Sequence, residues 1–182
     1  MAKLKGTAII PAVKMARSNR EKMEPLLGEG AKRLVSSRIM PGSWYPIEDA
    51  TELLQAICDF YGGNHAQSME MVGMYCAEGD LNGVYAHLIQ PGDPVRTFRR
   101  AIMLWRNYLD TGTLIFNQPY PGKPQATLRL EDFRQTIPYC ACIVGMARVV
   151  ARLVGTEETF RIQETRCTLN GAAACEFETS WG

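Results

Sequence analysis

Residues 164–177 read Glu-Thr-Arg-Cys-Thr-Leu-Asn-Gly-Ala-Ala-Ala-Cys-Glu-Phe, with Asn170-Gly171 at their centre. Asn-Gly between two β-rich runs is the strongest short-range signal for a β-hairpin. The segment therefore predicts a terminal hairpin that begins near Phe160 and ends near Trp181. Two cysteines and a glutamate flank the turn, so this hairpin also carries the most specific candidate site in the sequence.

The pairing register of that hairpin decides where its side chains point. A two-residue turn pairs Glu164 with Phe177 and turns Cys167 to the opposite face, because side chains alternate along a strand. A β-bulge near Thr165, combined with a turn of three residues, returns Cys167 to the face of Glu164. The same change sets Cys167 directly opposite Cys175, at a separation that suits two thiolates on one metal. A metal site on the hairpin therefore requires the bulge.

A zinc ion takes four nitrogen, sulfur or oxygen ligands in a tetrahedron, and Glu164, Cys167 and Cys175 supply three. The fourth ligand is Cys140 or Cys142, which lie two residues apart on a predicted helix and cannot both face one point. Two other interpretations stay open at this stage. The cysteines are buried free thiols, which behave as small hydrophobic residues, or Cys167 and Cys175 form a disulfide, which a reducing compartment disfavours.

Composition is typical of a globular domain. The 182 residues suffice for one core, and 46% of them are hydrophobic against 21% charged. A net charge of +1 gives no long-range electrostatic attraction to nucleic acid or to an anionic membrane. The one local cluster of basic residues consists of Arg96, Arg99, Arg100 and Arg106.

No apolar run reaches the roughly 18 residues that a membrane-spanning helix needs, and no apolar run at the N-terminus is long enough for a signal peptide. We expect one cytoplasmic domain over residues 1–182, with no nucleic acid partner and no membrane span.

Hydrophobic periodicity and turn residues predict the remaining elements. Residues 5–15 are expected to be extended, with Pro11 restricting them to a sheet edge or a bulge. Helices are predicted over residues 20–27, 31–39, 46–61 (closed by Gly62-Gly63), 64–88 (with a break or bend at Gly79-Asp80), 95–109 and 131–154, and strands over 113–116 and 126–130. This order predicts an α+β fold in which a helical layer packs on a C-terminal antiparallel sheet.

Motifs of catalysis are missing from the sequence. It contains no Gly-x-Ser-x-Gly, no Walker loop and no Gly-x-Gly-x-x-Gly, so we expect no enzymatic activity. Methionine and aromatic side chains are frequent in the middle of the chain. They are able to line a pocket for an apolar, aromatic or lipid-like ligand, although their helical spacing also fits an ordinary core.

The pattern Glu-x-x-Cys-x7-Cys-x-Phe, preceded by a long apolar helix that ends in glycine, resembles the C-terminal core of the 4-vinyl reductase domain family. That family includes sensor domains of phenol-responsive bacterial transcription regulators, in which this glutamate and these two cysteines join an upstream cysteine on a structural zinc. The resemblance implies the same role for Glu164, Cys167 and Cys175, with either Cys140 or Cys142 as the upstream ligand.

The resemblance also implies a ligand between the helical layer and the sheet, which makes Phe98, Trp105 and Tyr108 the candidate ligand-binding residues. The whole chain is similar, besides, to a myxobacterial paralogous family of unknown function. Both families resemble the haem nitric-oxide sensors and the small subunits of the TRAPP vesicle-tethering complex, and this implies a shared fold and a homodimer. Haem is not expected here, because the chain has two histidines and lacks the Tyr-x-Ser-x-Arg signature of the haem sensors.

Together these observations predict a non-catalytic sensor that binds a small molecule, contains a structural zinc and acts through a partner protein. The alternative is a dimeric adaptor that mediates protein–protein contacts without a ligand. Its candidate surfaces are the Trp44-Tyr45 corner and the helix that starts at Pro46, because exposed aromatic residues often anchor interfaces.

Overall fold

The computed structural model describes residues 2–62 and 64–182. In this part of the chain, helices dominate the N-terminal region, and four of the six strands lie beyond residue 112. The strands are β1 (Lys3–Lys5), β2 (Trp44–Pro46), β3 (Thr113–Asn117), β4 (Gln125–Glu131), β5 (Arg161–Arg166) and β6 (Cys175–Ser180). The helices are α1 (Gly6–Ser18), α2 (Arg20–Met23), α3 (Glu29–Ser36), α4 (Ile47–Tyr61), α5 (His65–Leu81), α6 (Pro94–Ala101), α7 (Trp105–Tyr108) and α8 (Tyr139–Val154). Short 3₁₀ helices cover Glu24–Leu26, Ala86–Leu88, Ile102–Leu104 and Thr168–Asn170.

Four strands form one antiparallel sheet in the order β3-β4-β6-β5, and β1 pairs with β2 in a separate ribbon. Strand β4 shows why one face of the sheet is buried. Its residues Ala126, Leu128 and Leu130 are buried, whereas Arg129 is exposed and lies 3.0 Å from Glu176 on the neighbouring strand. The buried face packs under the helices, so the predicted α+β fold is confirmed.

Helix α8 occupies the centre of the fold, with α5 on one side and the sheet on the other. Buried positions recur every three or four residues along it, which gives one continuous apolar stripe. These positions are Cys140, Ile143, Ala147, Val150 and Val154. Gly155 adopts the left-handed conformation, with φ of 86°, and ends the helix as a glycine cap.

Helices α5 and α8 cross with their backbones in contact at two glycines. A Cβ atom on Gly73 would overlap the carbonyl oxygen of Cys142, and one on Gly145 would overlap the carbonyl oxygen of Glu70. No larger residue fits either position without moving a backbone. Two surface ion pairs join the same helices, Arg148–Glu70 at 2.6 Å and Arg152–Glu78 at 2.7 Å.

The prediction that residues 5–15 are extended is wrong beyond Lys5, which ends β1, because residues 6–15 belong to α1. Pro11 lies inside this helix, where it removes one backbone hydrogen bond. Burial of one apolar face outweighs that loss, and the buried residues have helical spacing that the proline signal obscured. They are Ile9, Ala12, Val13 and Ala16.

The prediction that a helix opens at Glu131 is also wrong. Glu131 ends β4, Asp132 adopts a φ of 53°, and α8 begins only at Tyr139. Pro138 explains the late start, because a proline disfavours helical conformation in the residue before it and cannot donate a backbone hydrogen bond. The intervening loop is therefore free to fold over the start of α8.

Other helix boundaries differ more modestly from the predictions. Helix α5 ends at Leu81 rather than near residue 88, and Gly79 lies within it without a break. The helix predicted over 95–109 contains a tighter 3₁₀ turn, Ile102–Leu104, which brings neighbouring apolar residues onto one side. Helix α4 ends at Gly62 as predicted, while Gly63 lies outside the described residues. None of the helices in the described part of the chain is long and apolar enough to cross a membrane.

Replacing Gly145 with alanine is expected to destabilise the fold, because the added Cβ would force α5 and α8 apart. Overpacking of this kind costs roughly 1–3 kcal/mol. Gly79→Ala is the matched control, since Gly79 lies in α5 with no atom within 4 Å of an added Cβ. Alanine at such an open helical position stabilises by about 0.5–1 kcal/mol. Urea denaturation measures both variants, and effects of the same sign would contradict the close crossing.

Candidate metal centre and ligand cavity

Four side chains with metal-ligating atoms meet where the first turn of α8 faces the end of the β5–β6 hairpin. They are Cys140, Glu164, Cys167 and Cys175, and one ligand atom from each lies within 4.8 Å of all the others. The three cysteines are buried and Glu164 is exposed. The Sγ atoms of Cys140 and Cys167 are 3.6 Å apart. The structure thus brings one cysteine of α8 together with three residues of the terminal hairpin.

A β-bulge at Thr165 places Cys167 in this cluster. Strand β5 pairs Glu164 with Phe177 and then Arg166 with Glu176, so the register shifts by one residue between these pairs. The bulge that the metal site requires is therefore present. Without it, the alternation of side chains would turn Cys167 away from Glu164.

The predicted three-residue turn is wrong, because the strands separate earlier. The carbonyl oxygen of Cys167 accepts hydrogen bonds from the backbone N–H groups of Asn170, at 3.0 Å, and Ala172, at 3.2 Å. These bonds close a 3₁₀ helix at Thr168–Asn170 instead of continuing the ladder. Gly171 follows with a φ of 84°, a conformation that favours glycine.

The structure distinguishes the two upstream cysteines. Cys140 lies in the cluster, whereas Cys142 lies where α8 crosses α5, with its backbone against Gly73. Burial raises the pKa of the Cys142 thiol well above its ordinary value, and the neighbouring Cys76 raises it further. Cys142 therefore belongs to the helix interface and not to the candidate metal centre.

Gln135 covers the cluster from the loop that precedes α8, and the sequence contained no signal for it. Its amide nitrogen lies 3.2 Å from Sγ of Cys175 and 3.7 Å from Sγ of Cys167, and its Oε1 accepts the backbone N–H of Cys140 at 3.1 Å. The backbone N–H of Thr168 also donates to Sγ of Cys175, at 3.4 Å. Hydrogen bonds of this kind orient metal ligands and favour the thiolate form.

The donor set fits a structural zinc ion. Two thiolates on a tetrahedral zinc, with Zn–S bonds of about 2.3 Å, lie about 3.8 Å apart, close to the 3.6 Å between Cys140 and Cys167. A disulfide requires about 2.05 Å, and all six cysteines are free thiols. Burial raises the pKa of the Cys140 and Cys167 thiols. Cys140, Glu164, Cys167 and Cys175 are the residues that would hold such an ion.

A second candidate site is a cavity of about 80 Å³ between α5, α6, α7, α8 and the sheet. The three predicted ligand-binding residues, Phe98, Trp105 and Tyr108, all line it. Its other lining residues are Ala77, Asp80, Leu81, Ala101, Ile102, Leu104, Leu114, Leu128, Ile143, Met146, Ala147 and Val150.

The cavity is apolar apart from one pair of side chains. The hydroxyl of Tyr108 donates a hydrogen bond to Oδ2 of Asp80 at 2.5 Å. The indole N–H of Trp105 donates to the carbonyl oxygen of Thr111 at 3.0 Å and is therefore occupied. Phe98 stacks on Phe160, with ring centroids 5.8 Å apart, which fixes one wall. The cavity thus combines rigid apolar walls with a single carboxylate.

The amino-acid sequence matches no protein-family model and no curated protein. Solved structures, however, share the fold. An H-NOX protein from S. oneidensis in the Fe(II)NO ligation state is 14% identical, with a TM-score of 0.70 over 98% of this chain and 99% of its own. An Fe(II) unliganded H-NOX protein from K. algicida is 8% identical, with a TM-score of 0.73 over 98% and 97%. An oxygen-binding H-NOX domain related to soluble guanylate cyclases is 12% identical, with a TM-score of 0.69 over 98% and 95%. The predicted relation to haem nitric-oxide sensors is confirmed at the level of the fold alone.

The residues around the cavity do not fit a haem. Haem iron needs an axial histidine, cysteine, methionine–histidine pair or tyrosine. His87 is exposed, and His65 lies 3.0 Å from Asp59 on the surface, so neither lines the cavity. Tyr108 is already bonded to Asp80. The cavity of about 80 Å³ is also smaller than an engineered cavity of about 150 Å³ whose ligands are as small as benzene, which is far smaller than a haem.

Asp80→Asn is expected to raise the thermal unfolding midpoint at pH 7. Burial raises the pKa of the Asp80 carboxyl, an effect that the Tyr108 hydrogen bond partly offsets. The ionised carboxylate therefore lowers stability at neutral pH. Below pH 3.9, roughly the ordinary pKa of aspartate, the Asp80 carboxyl is protonated in both the folded and the unfolded state. The unfolding midpoints of Asp80→Asn and wild type should therefore become equal below that pH. Calorimetry across pH 3–8 measures this, and a difference independent of pH would contradict it.

Proposed function

We propose that the chain is a non-catalytic, cytoplasmic sensor domain that binds a small apolar molecule, holds a structural zinc ion and acts through a partner protein. This is the role that the resemblance to the 4-vinyl reductase domains implies. One observation supports this proposal above the others: helix α8 contributes residues to both the candidate metal centre and the cavity. Cys140 lies in its first turn, and Ile143, one turn later, lines the cavity.

The zinc is structural in this proposal because four protein ligands leave no open position for a substrate or water. When bound, it would tie α8 to β5 and β6 through charge-neutralised thiolates. Gln135 and Thr168 support the arrangement, since their N–H groups point at the sulfur atoms from outside the cluster.

The ligand of the sensor is inferred from the cavity rather than from the neighbours. The structural neighbours include an oxygen-binding domain and a protein in the Fe(II)NO state. Haem does not fit this chain, so we infer a ligand that binds without it. The volume of about 80 Å³ favours a small molecule over a lipid-like one.

A partner surface lies on the outer side of the helices that line the cavity. Phe98 and Trp105 face inward, while the opposite side of α6 and α7 exposes Arg96, Arg99, Met103 and Arg106. In residues 2–62 and 64–182, no carboxylate lies within 4.0 Å of these arginines. Charge complementarity favours an acidic segment of a partner protein, which would sense movement of α6 when the cavity fills.

Purified protein is expected to contain one zinc ion per chain, and Cys140→Ala is expected to lose it. Truncation of one ligand leaves a three-ligand site with much lower affinity. Cys142→Ala is the matched control, because it removes a half-buried thiol two residues away on the same helix. Elemental analysis after dialysis measures the metal content, and thermal denaturation should show a lower midpoint for Cys140→Ala alone.

The absence of zinc from wild-type protein would overturn the metal part of the proposal. Retention of zinc in Cys140→Ala, or its loss in Cys142→Ala, would overturn the ligand assignment.

Small apolar probes such as xenon and cyclopropane, which suit a cavity of about 80 Å³, are expected to raise the thermal midpoint of the wild-type protein. A ligand at 100 times its dissociation constant stabilises by about 2.7 kcal/mol. Ala147→Leu fills the cavity and should abolish this response. Ala141→Leu, on the same helix but outside the cavity, should retain it. The absence of any response in wild type, or an unchanged response in Ala147→Leu, would count against the sensor.

The second candidate function is the dimeric adaptor. The predicted Trp44-Tyr45 surface is small, because Tyr45 receives a hydrogen bond from the backbone of Met40 and only Trp44 is well exposed, at 41%. A larger apolar patch on α4 and α5 favours this function. Its residues Tyr61, Met71 and Tyr75 are all more than half exposed, at 52%, 63% and 54%.

Light scattering at micromolar concentration decides whether the chain is a homodimer, as both candidate functions expect.

A further inference from the structure

Asp80 is the only acidic side chain on the cavity wall among the described residues. It lies in the last turn of α5, and its Oδ2 accepts the hydroxyl hydrogen of Tyr108. This bond holds the carboxylate at the cavity wall, and no other side chain among the described residues forms a hydrogen bond or ion pair with it. Burial around the carboxyl group raises its pKa, which reflects the loss of water around the charge.

The charge of Asp80 has no cationic partner in the described part of the chain. The cavity lining contains no lysine, arginine or histidine, and the last turn of α5 contains no basic residue. Other carboxylates of α5 are paired, Glu70 with Arg148 and Glu78 with Arg152. The C-terminal end of a helix also carries a partial negative charge, which adds to that of Asp80 and favours a cation. A half-buried carboxylate in this position lacks the partner that such groups normally have.

We propose that the cavity binds a small primary amine in its ammonium form, with the nitrogen on Asp80 and the alkyl group among the apolar side chains. This inference rests on the proposed function and names the ligand class of the same cavity. An ammonium group donates a charge-assisted hydrogen bond to Oδ1 and neutralises the carboxylate. The rings of Tyr108 and Trp105 border the same cavity and attract a cation through their faces.

The size of the cavity limits the alkyl group. At about 80 Å³ it is roughly half the volume of a cavity that holds benzene, so an unbranched chain of about four carbons is the appropriate probe. Neutral alcohols of the same length fill the apolar part but leave the charge uncompensated. Carboxylic acids of the same length meet the like charge of Asp80.

The test compares n-butylamine, n-butanol and n-butyrate on the full chain at pH 7 and constant ionic strength, by titration calorimetry and thermal denaturation. We expect n-butylamine to bind wild type at least about tenfold more tightly than n-butanol, as for a hydrogen bond to a charged group, and n-butyrate not to bind. Asp80→Asn should reduce the affinity for n-butylamine to that for n-butanol. Glu78→Gln, which removes a carboxylate from the same helix outside the cavity, should behave as wild type.

Equal affinities for amine and alcohol in wild type would overturn the ammonium assignment and leave the apolar cavity of the proposed function standing. A preference for the amine that survives in Asp80→Asn would also overturn it. If none of the three probes binds, and neither xenon nor cyclopropane binds, the proposed function fails together with the inference. The wild-type comparison decides the question even if Asp80→Asn does not fold.

Discussion

The backbone contact between α5 and α8 is the constraint on which the rest of the structure depends. Gly73 and Gly145 allow the two helices to touch, because a Cβ at either position would overlap a carbonyl oxygen of the other helix. The contact orients α8 so that its opposite stripe faces the sheet. Cys140 consequently points at the end of the β5–β6 hairpin, and Ala147 points into the cavity. Both candidate sites follow from one helix crossing.

The two sites make different physical demands on that helix. The cysteine cluster joins α8 to the hairpin, and burial favours the neutral form of the Cys140 and Cys167 thiols. The cavity lies further along α8, where side chains from α5, α6 and α7 meet. In the proposed sensor a fixed metal centre holds one end of α8, so that ligand binding acts on the more weakly connected α6 and α7. The 3₁₀ turn Ile102–Leu104 between those helices is a point where they can shift.

The shared fold with H-NOX structures illustrates that a fold does not determine a ligand. TM-scores near 0.7 over 98% of the chain accompany sequence identities of 8–14%. At the cavity of this chain the polar group is a carboxylate, Asp80, bonded to Tyr108, and no histidine is present among the lining residues that the structure describes. The likeness to these structures concerns the fold, and the chemistry of the interior rests on the side chains of this chain.

The sequence by itself determined the elements and contacts that depend on nearby residues. The terminal hairpin follows from Asn170-Gly171 between two β-rich runs, and the α+β order follows from periodicity. Alternation along a strand gave only a condition, that a metal site containing Glu164 and Cys167 requires a bulge near Thr165, and the structure contains that bulge. One local signal gave a wrong prediction. Pro11 favoured an extended segment, but the residues around it form α1, which buries one apolar face. Only the tertiary structure decided that Cys140 and not Cys142 joins the cluster, because helical spacing separates them without saying which side faces the sheet. Gln135 and Asp80 had no sequence signal at all. Gln135 contacts Cys175, which lies 40 residues away in sequence, and Asp80 contacts Tyr108, which lies 28 residues away. Contacts between residues so far apart in sequence depend on how whole helices and strands pack.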